Sequence, residues 1–161
     1  MKLKALLLEA ARWIAVFAAI VYLVVLLGGN KVSNADFSQV SGAVMDAADT
    51  ANMTKAENRM VKRLYGLEPG DYEGCVLYYP ATNMDAEEVL VIKLSELSQQ
   101  EAVVAAVEQR LQTQRNAFEG YGVEQFDLLS NHYVLQVQGN YVLFAVGTFC
   151  DDALTAFRAA L

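Results

Sequence analysis

The sequence predicts an α+β protein with a single N-terminal transmembrane helix. One domain follows, a four-stranded, mainly antiparallel sheet packed against helices. Three observations carry this expectation. Trp13–Leu27 is fifteen residues without a charge, an amide, a glycine or a proline. Beyond it, short apolar runs rich in strand-forming residues come in pairs: Cys75–Tyr79 with Val89–Leu94, and Tyr133–Gln138 with Tyr141–Val146. Around those pairs lie segments whose apolar residues recur at helical spacing behind capping residues. The expected order is an anchor, then α-α-β-β-α-α-β-β-α.

A bilayer core needs roughly 20 apolar helical residues. Extending Trp13–Leu27 from Ala10 to Gly29 meets that length, with Trp13 at the interfacial level. Glu9 and Arg12 lie three apart and can pair on one helical face. Lys2, Lys4 and Arg12 hold the N-terminus in the cytoplasm by the positive-inside rule. The expected division is 1–29 as anchor, 30–35 as flexible linker and 36–161 as an extracytoplasmic domain. The competing reading is secretion after cleavage near Ala35, at Ser33-Asn34-Ala35. That site lies eight residues past Leu27, late for a signal peptide, so the single-pass anchor is preferred. A long buried core helix is disfavoured by the all-round apolar character and the basic flank.

From residue 30 onward, nine Lys or Arg face eighteen Asp or Glu, a net charge of −9. Such a domain is repelled by nucleic acid, which excludes it as a partner class. Cys75 and Cys150 could close a long disulfide loop, but two cysteines are not a disulfide framework, and free buried thiols are preferred.

The elements follow in order. Asp36 reads as an N-cap with Gln39 three residues on, ahead of Phe37, Val40, Val44, Met45 and Ala48 at helical spacing. Thr54 with Glu57 reads as a second capping box, ahead of Ala56, Met60, Val61 and Leu64, with Gly66 as the stop. Cys75–Tyr79 and Val89–Leu94 are nearly continuous apolar strands, which predicts burial on both faces. Ser98 with Glu101 predicts the start of the longest helix, running to Phe118 on a Val103, Val107, Leu111, Phe118 stripe. A short helix covers Glu124–Leu129. Tyr133–Gln138 alternates, Gly139-Asn140 is a two-residue turn, and Tyr141–Val146 returns. Asp151 or Asp152 caps a last helix carrying Leu154, Phe157 and Leu161.

Candidate chemistry is sparse. His132 is the only histidine, and no Gly-x-Ser-x-Gly elbow accompanies it, so it reads as an exposed strand residue. Asp85, Glu87 and Glu88 lack the alternating pattern of a calcium loop and read as a solvated turn. No motif implies a cofactor or a metal, and the chain is expected not to be an enzyme. Lys55, Arg59, Lys62 and Arg63 share one helical face and form a candidate anion-binding surface. Seven tyrosines in the domain could stack on sugar rings, though strands favour Tyr for packing alone.

Five segments carry a family resemblance: Arg63–Leu67, Asp71–Glu73, Met84–Glu88, Phe118–Tyr121 and Gly139–Val142. On these the chain resembles an uncharacterised family of small exported domains of Gram-positive anaerobes, catalogued as domain of unknown function 4358. The resemblance covers Met53 to Leu161. It implies an envelope location and carries over no catalytic residues. Several members are lipoproteins, whereas here no cysteine follows the apolar run to accept a lipid.

The expectation is therefore a membrane-anchored, non-enzymatic binding or accessory module whose partner is another envelope protein. The alternatives are binding of anionic wall polymer or lipid head groups through Lys55, Arg59, Lys62 and Arg63, and an envelope hydrolase or transferase using carboxylates such as Asp85 and Glu88.

Overall fold

In the computed structural model, residues 32–161 are described, and the predicted anchor lies outside them. Among the described residues no helix is long and apolar enough to cross a membrane. The first helix, α1, spans Phe37–Ala47, and Asp36 caps it as expected by accepting from the Ser38 and Gln39 amides. Of its expected apolar stripe, Val40, Val44 and Ala48 expose nothing, while Phe37 and Met45 are half-buried at its margin.

The next element departs from expectation. Met53–Lys55 is a strand, β1, paired antiparallel so that Thr54 lies opposite Tyr79 and Lys55 opposite Tyr78. Thr54 therefore caps no helix. The helix α2 starts later, at Asn58, and runs to Tyr65 with Glu57 at its N-cap position. Pairing with a longer strand satisfies the backbone of these residues, and the ladder continues as the Ala56 amide donates to the Leu77 carbonyl at 2.9 Å. A three-residue strand has too short a pattern to be read from sequence. Gly66 ends α2 as expected, with φ 69°, a conformation glycine adopts without a Cβ penalty.

The remaining strands are β2 Gly74–Pro80, β3 Glu88–Lys93, β4 Tyr133–Gln138 and β5 Tyr141–Val146. The remaining helices are α3 Gln100–Phe118, α4 Val123–Asn131 and α5 Cys150–Ala160. Among the described residues the sheet has five strands, not the expected four, in the order β1-β2-β3-β5-β4, with every pair antiparallel. Two helix starts are also corrected. Ser98 and Glu101 form no capping box: Glu96 and Gln99 form one on a 3-10 turn, Leu97–Gln99, that leads into the long helix, whose own N-cap position, Gln99, makes no side-chain cap bond to it. At α5 the N-cap position is Phe149, and Asp151 and Asp152 sit in the first turn, where they complement the helix dipole.

The central strands β3 and β5 are buried throughout. Leu90, Ile92, Val142, Phe144 and Val146 pack under α2, α3 and α4. Val89, Val91, Tyr141, Leu143 and Ala145 pack under α1 and α5. Helices on both faces explain why these two strands read as unbroken apolar runs. The segment expected as a flexible linker is docked where it is described. The Ser33 amide donates to Asn140 Oδ1 at 2.8 Å, and both Lys93 Nζ and the Tyr141 hydroxyl donate to the Ala35 carbonyl.

Candidate functional site

Glu88 opens β3 and points into the layer beneath α2 and α3, with no exposed surface. A buried carboxylate must be paired or heavily hydrogen-bonded to stay charged. Here it is both. The Tyr65 hydroxyl, from the end of α2, donates to Oε1 at 2.5 Å. Arg110 of α3 donates from Nη2 to Oε2 at 2.8 Å and from Nε at 3.3 Å. Gln114, one turn on, donates from Nε2 to Oε2 at 2.7 Å. Burial, and then the Glu88 charge, hold the Tyr65 phenol well above its ordinary value. Burial lowers the Arg110 guanidinium, but Glu88 more than offsets this and the net shift is upward.

Beside this network runs a groove of about 470 Å³ between α2, the 81–85 loop and α3. Arg63, Arg110, Gln114 and Asp85 supply its polar groups, and Met60, Leu64, Tyr79, Phe118 and Tyr121 its apolar ones. Phe118 and Tyr121 also line an adjoining hollow with Met84 and Val123. Three of these residues are unusually open for their type: Met84 is 66 % exposed, Tyr121 63 % and Val123 80 %. The loop that carries Met84 is shaped by Thr82, whose hydroxyl donates to Asp85 Oδ2 at 2.7 Å and accepts from the Met84 amide at 3.2 Å. On the other side of that loop, Asp85 and Glu87 line a separate acidic hollow with Asn52 and Met53.

The sequence-predicted basic face is divided by the fold. Lys55 lies on β1, away from the helix. Lys62 pairs with Glu68 at 2.6 Å. Arg59 and Arg63 stay exposed on α2, four residues apart, and Arg63 reaches the groove. The expected carboxylate turn also separates. Asp85 is exposed and bonded to Thr82, whereas Glu88 is buried, contrary to its reading as a solvated residue. Among the described residues no three His, Cys, Asp or Glu come together as metal ligands. His132 follows α4 rather than starting the strand, and pairs with Asp127 at 3.6 Å.

Sequence reasoning missed Glu88, Arg110 and Gln114 as a unit. One signal was present. Gln114 falls on the α3 stripe, three residues past Leu111 and four before Phe118, and a polar residue on an apolar stripe must find a buried partner. The two cysteines take opposite faces of the sheet, Cys75 toward α3 and Cys150 toward α1 and α5, and both are free thiols. Burial raises each from 9.0 to about 11.

Comparison with curated proteins and with solved structures finds no match. Comparison with protein families finds one, over residues 46–147, which takes in β1 to β5 and therefore the Glu88 network and the groove. The chain belongs to the family described as Domain of unknown function (DUF4358).

Proposed function

We propose that the chain is a tethered binding module of the cell envelope, held in the membrane through Trp13–Leu27, with its domain outside the cytoplasm. It docks an apolar segment of a partner envelope protein. The observation that carries the docking surface is the run of exposed apolar side chains, Met84, Tyr121 and Val123, continuous through Phe118 with the groove beside Arg110. Contiguous apolar surface rimmed by polar groups is costly to leave in water and marks interaction sites. The fifteen-residue apolar run and the basic residues before it support the tether. An acid–base role for Glu88 is disfavoured because Tyr65, Arg110 and Gln114 already occupy its oxygens.

A second reading rests on Arg59 and Arg63, two exposed cations one turn apart on α2, of which Arg63 lines the groove. On that reading the ligand is an anionic polymer or lipid head group, and binding weakens with salt.

Crosslinking in intact cells, followed by purification of the full-length chain from membranes, tests both. Loss of a reproducible partner in Met84→Asp/Val123→Asp, with retention in Arg59→Glu/Arg63→Glu, supports protein docking. The converse pattern, with salt-sensitive cell-wall binding lost on charge reversal, supports the polymer reading. If neither pair of substitutions alters any association, both readings fall.

A further inference from the structure

The two edges of the sheet are unlike. At one, β1 is only three residues long and ends in Lys55, a blunted edge. At the other, β4 runs for six residues, Tyr-Val-Leu-Gln-Val-Gln, with no charge and no proline, and its ladder with β5 carries no bulge. Open, regular edges of this kind are templates for further strand pairing.

The direction of the free groups is fixed. Gln138 and Tyr141 flank a two-residue turn, so they form a hydrogen-bonded pair, and hydrogen-bonded pairs alternate along an antiparallel ladder. The Gly147 amide donating to the His132 carbonyl at 2.9 Å confirms this parity at the far end. Gln138, Gln136 and Val134 therefore turn their backbone groups to β5. Tyr133, Leu135 and Val137 turn theirs outward. Among the described residues, the outward groups find one partner, the Gln136 side chain, which donates to the Val137 carbonyl at 2.7 Å.

We infer that β4 pairs antiparallel with β4 of a second copy of this chain, joining two sheets about a two-fold axis at Leu135. The outward residues are three and evenly spaced, so the edge is its own complement. Leu135 meets Leu135, and Tyr133 meets Val137 in both directions. The side chains fit the same symmetry. Leu135 and Val137 belong to the layer under α3, and Leu135 and Tyr133 line an open hollow of about 400 Å³ with Val107 and Leu111, its rim carrying one charge of each sign, Glu108 and Arg115. Charge is the further argument. In a domain of net −9, two copies repel almost everywhere, whereas the β4 residues that pair across the axis are uncharged and the cations Arg158, on the Gln136 side chain, and Arg115, over the Tyr133 ring, offset the acidic surroundings there. A continuing head-to-tail array would need β1, which is too short and carries Lys55.

The test uses the full-length chain in detergent, with protein mass measured by light scattering. Tyr133→Lys/Val137→Lys places Lys opposite Lys across the axis, and Tyr133→Glu/Val137→Glu places Glu opposite Glu. The expected result is a wild-type dimer, two monomeric variants, and a dimer of mixed composition when the variants are combined. The mixed dimer shows that both variants are folded. A wild-type chain that is monomeric at tens of micromolar overturns the inference, whether or not another protein is held at this edge. So does a Lys variant that stays dimeric, or a mixture that fails to reassociate while each variant keeps its native circular dichroism.

Discussion

Glu88 joins three elements through one carboxylate: its own strand β3, α2 through Tyr65, and α3 through Arg110 and Gln114. Removing one partner of such a buried pair leaves an uncompensated charge, so Arg110→Ala is expected to cost about 3–5 kcal/mol. Tyr65→Phe removes one hydrogen bond to a charged group and should cost about 1.5–3 kcal/mol. Thermal unfolding of the full-length chain in detergent checks both, and a Tyr65→Phe loss as large as that of Arg110→Ala would contradict this ranking. The thiols give a second prediction. Both cysteines titrate near 9.0 when unfolded and near 11 when folded, so the unfolded chain loses its protons first. Stability is therefore complete below pH 9 and falls as pH rises toward 11. Tyr65, also shifted upward, adds to the fall. Cys75→Ala/Cys150→Ala should flatten the slope of unfolding temperature against pH in that window. The same burial predicts slow alkylation of the native chain at pH 7.5 and modification of both thiols on unfolding.

Among the elements, α1 shows how tightly a helix is registered on the sheet. Phe37 lies flat over Gly74 at the start of β2, and a Cβ on Gly74 would meet the Phe37 ring at 2.3 Å. Gly74→Ala must push the ring away and is expected to destabilise by about 1–3 kcal/mol. Phe37→Ala in the same chain should relieve part of that cost, because the clash and its source are then both gone; strictly additive effects would mean the two do not touch in solution. The cap of α1 is a smaller device. Asp36→Ala loses the acceptor for two amides and should lower the unfolding temperature by less than Gly74→Ala does. At β1, a strand of three residues has no packing stripe of its own and is held by β2. Hydrogen exchange should be faster there than in β3 and β5, which are buried on both faces.

For the molecule as a whole, the surfaces divide the work. The apolar patch of Met84, Tyr121 and Val123 lies with the groove under α2 and α3, and the open edge is β4, on the far side of the sheet from β1. The two proposals are therefore separable by mutation. Met84→Asp/Val123→Asp should leave the dimer intact, and the β4 variants should leave the patch intact. The proposed tether makes its own prediction. The full-length chain should remain with membranes through carbonate washing, and protease added outside cells should cut the domain. A chain released by carbonate would remove the tether and leave the domain's surfaces unchanged.

The family resemblance was legible from five short segments, and two of them supply Tyr65 and Glu88, which meet in the buried network. What the sequence determined by itself was local. Stripes such as Val40, Val44 and Ala48, the Asp36 cap, the Gly66 stop and the Gly139-Asn140 turn are each set by residues a few positions apart, and each was found where expected. Composition likewise fixed the acidic character of the domain. What only the tertiary structure decided was long-range. The fifth strand exists because β2 offers it an edge. Thr54 pairs in a sheet instead of capping a helix. Lys55 and Lys62 leave the basic face to Arg59 and Arg63. Glu88 is buried because Tyr65 and Arg110, 23 and 22 residues away in sequence, converge on it. Periodicity records which way a side chain turns relative to its neighbours, but the cost of burying a charge depends on partners that only the folded chain brings together.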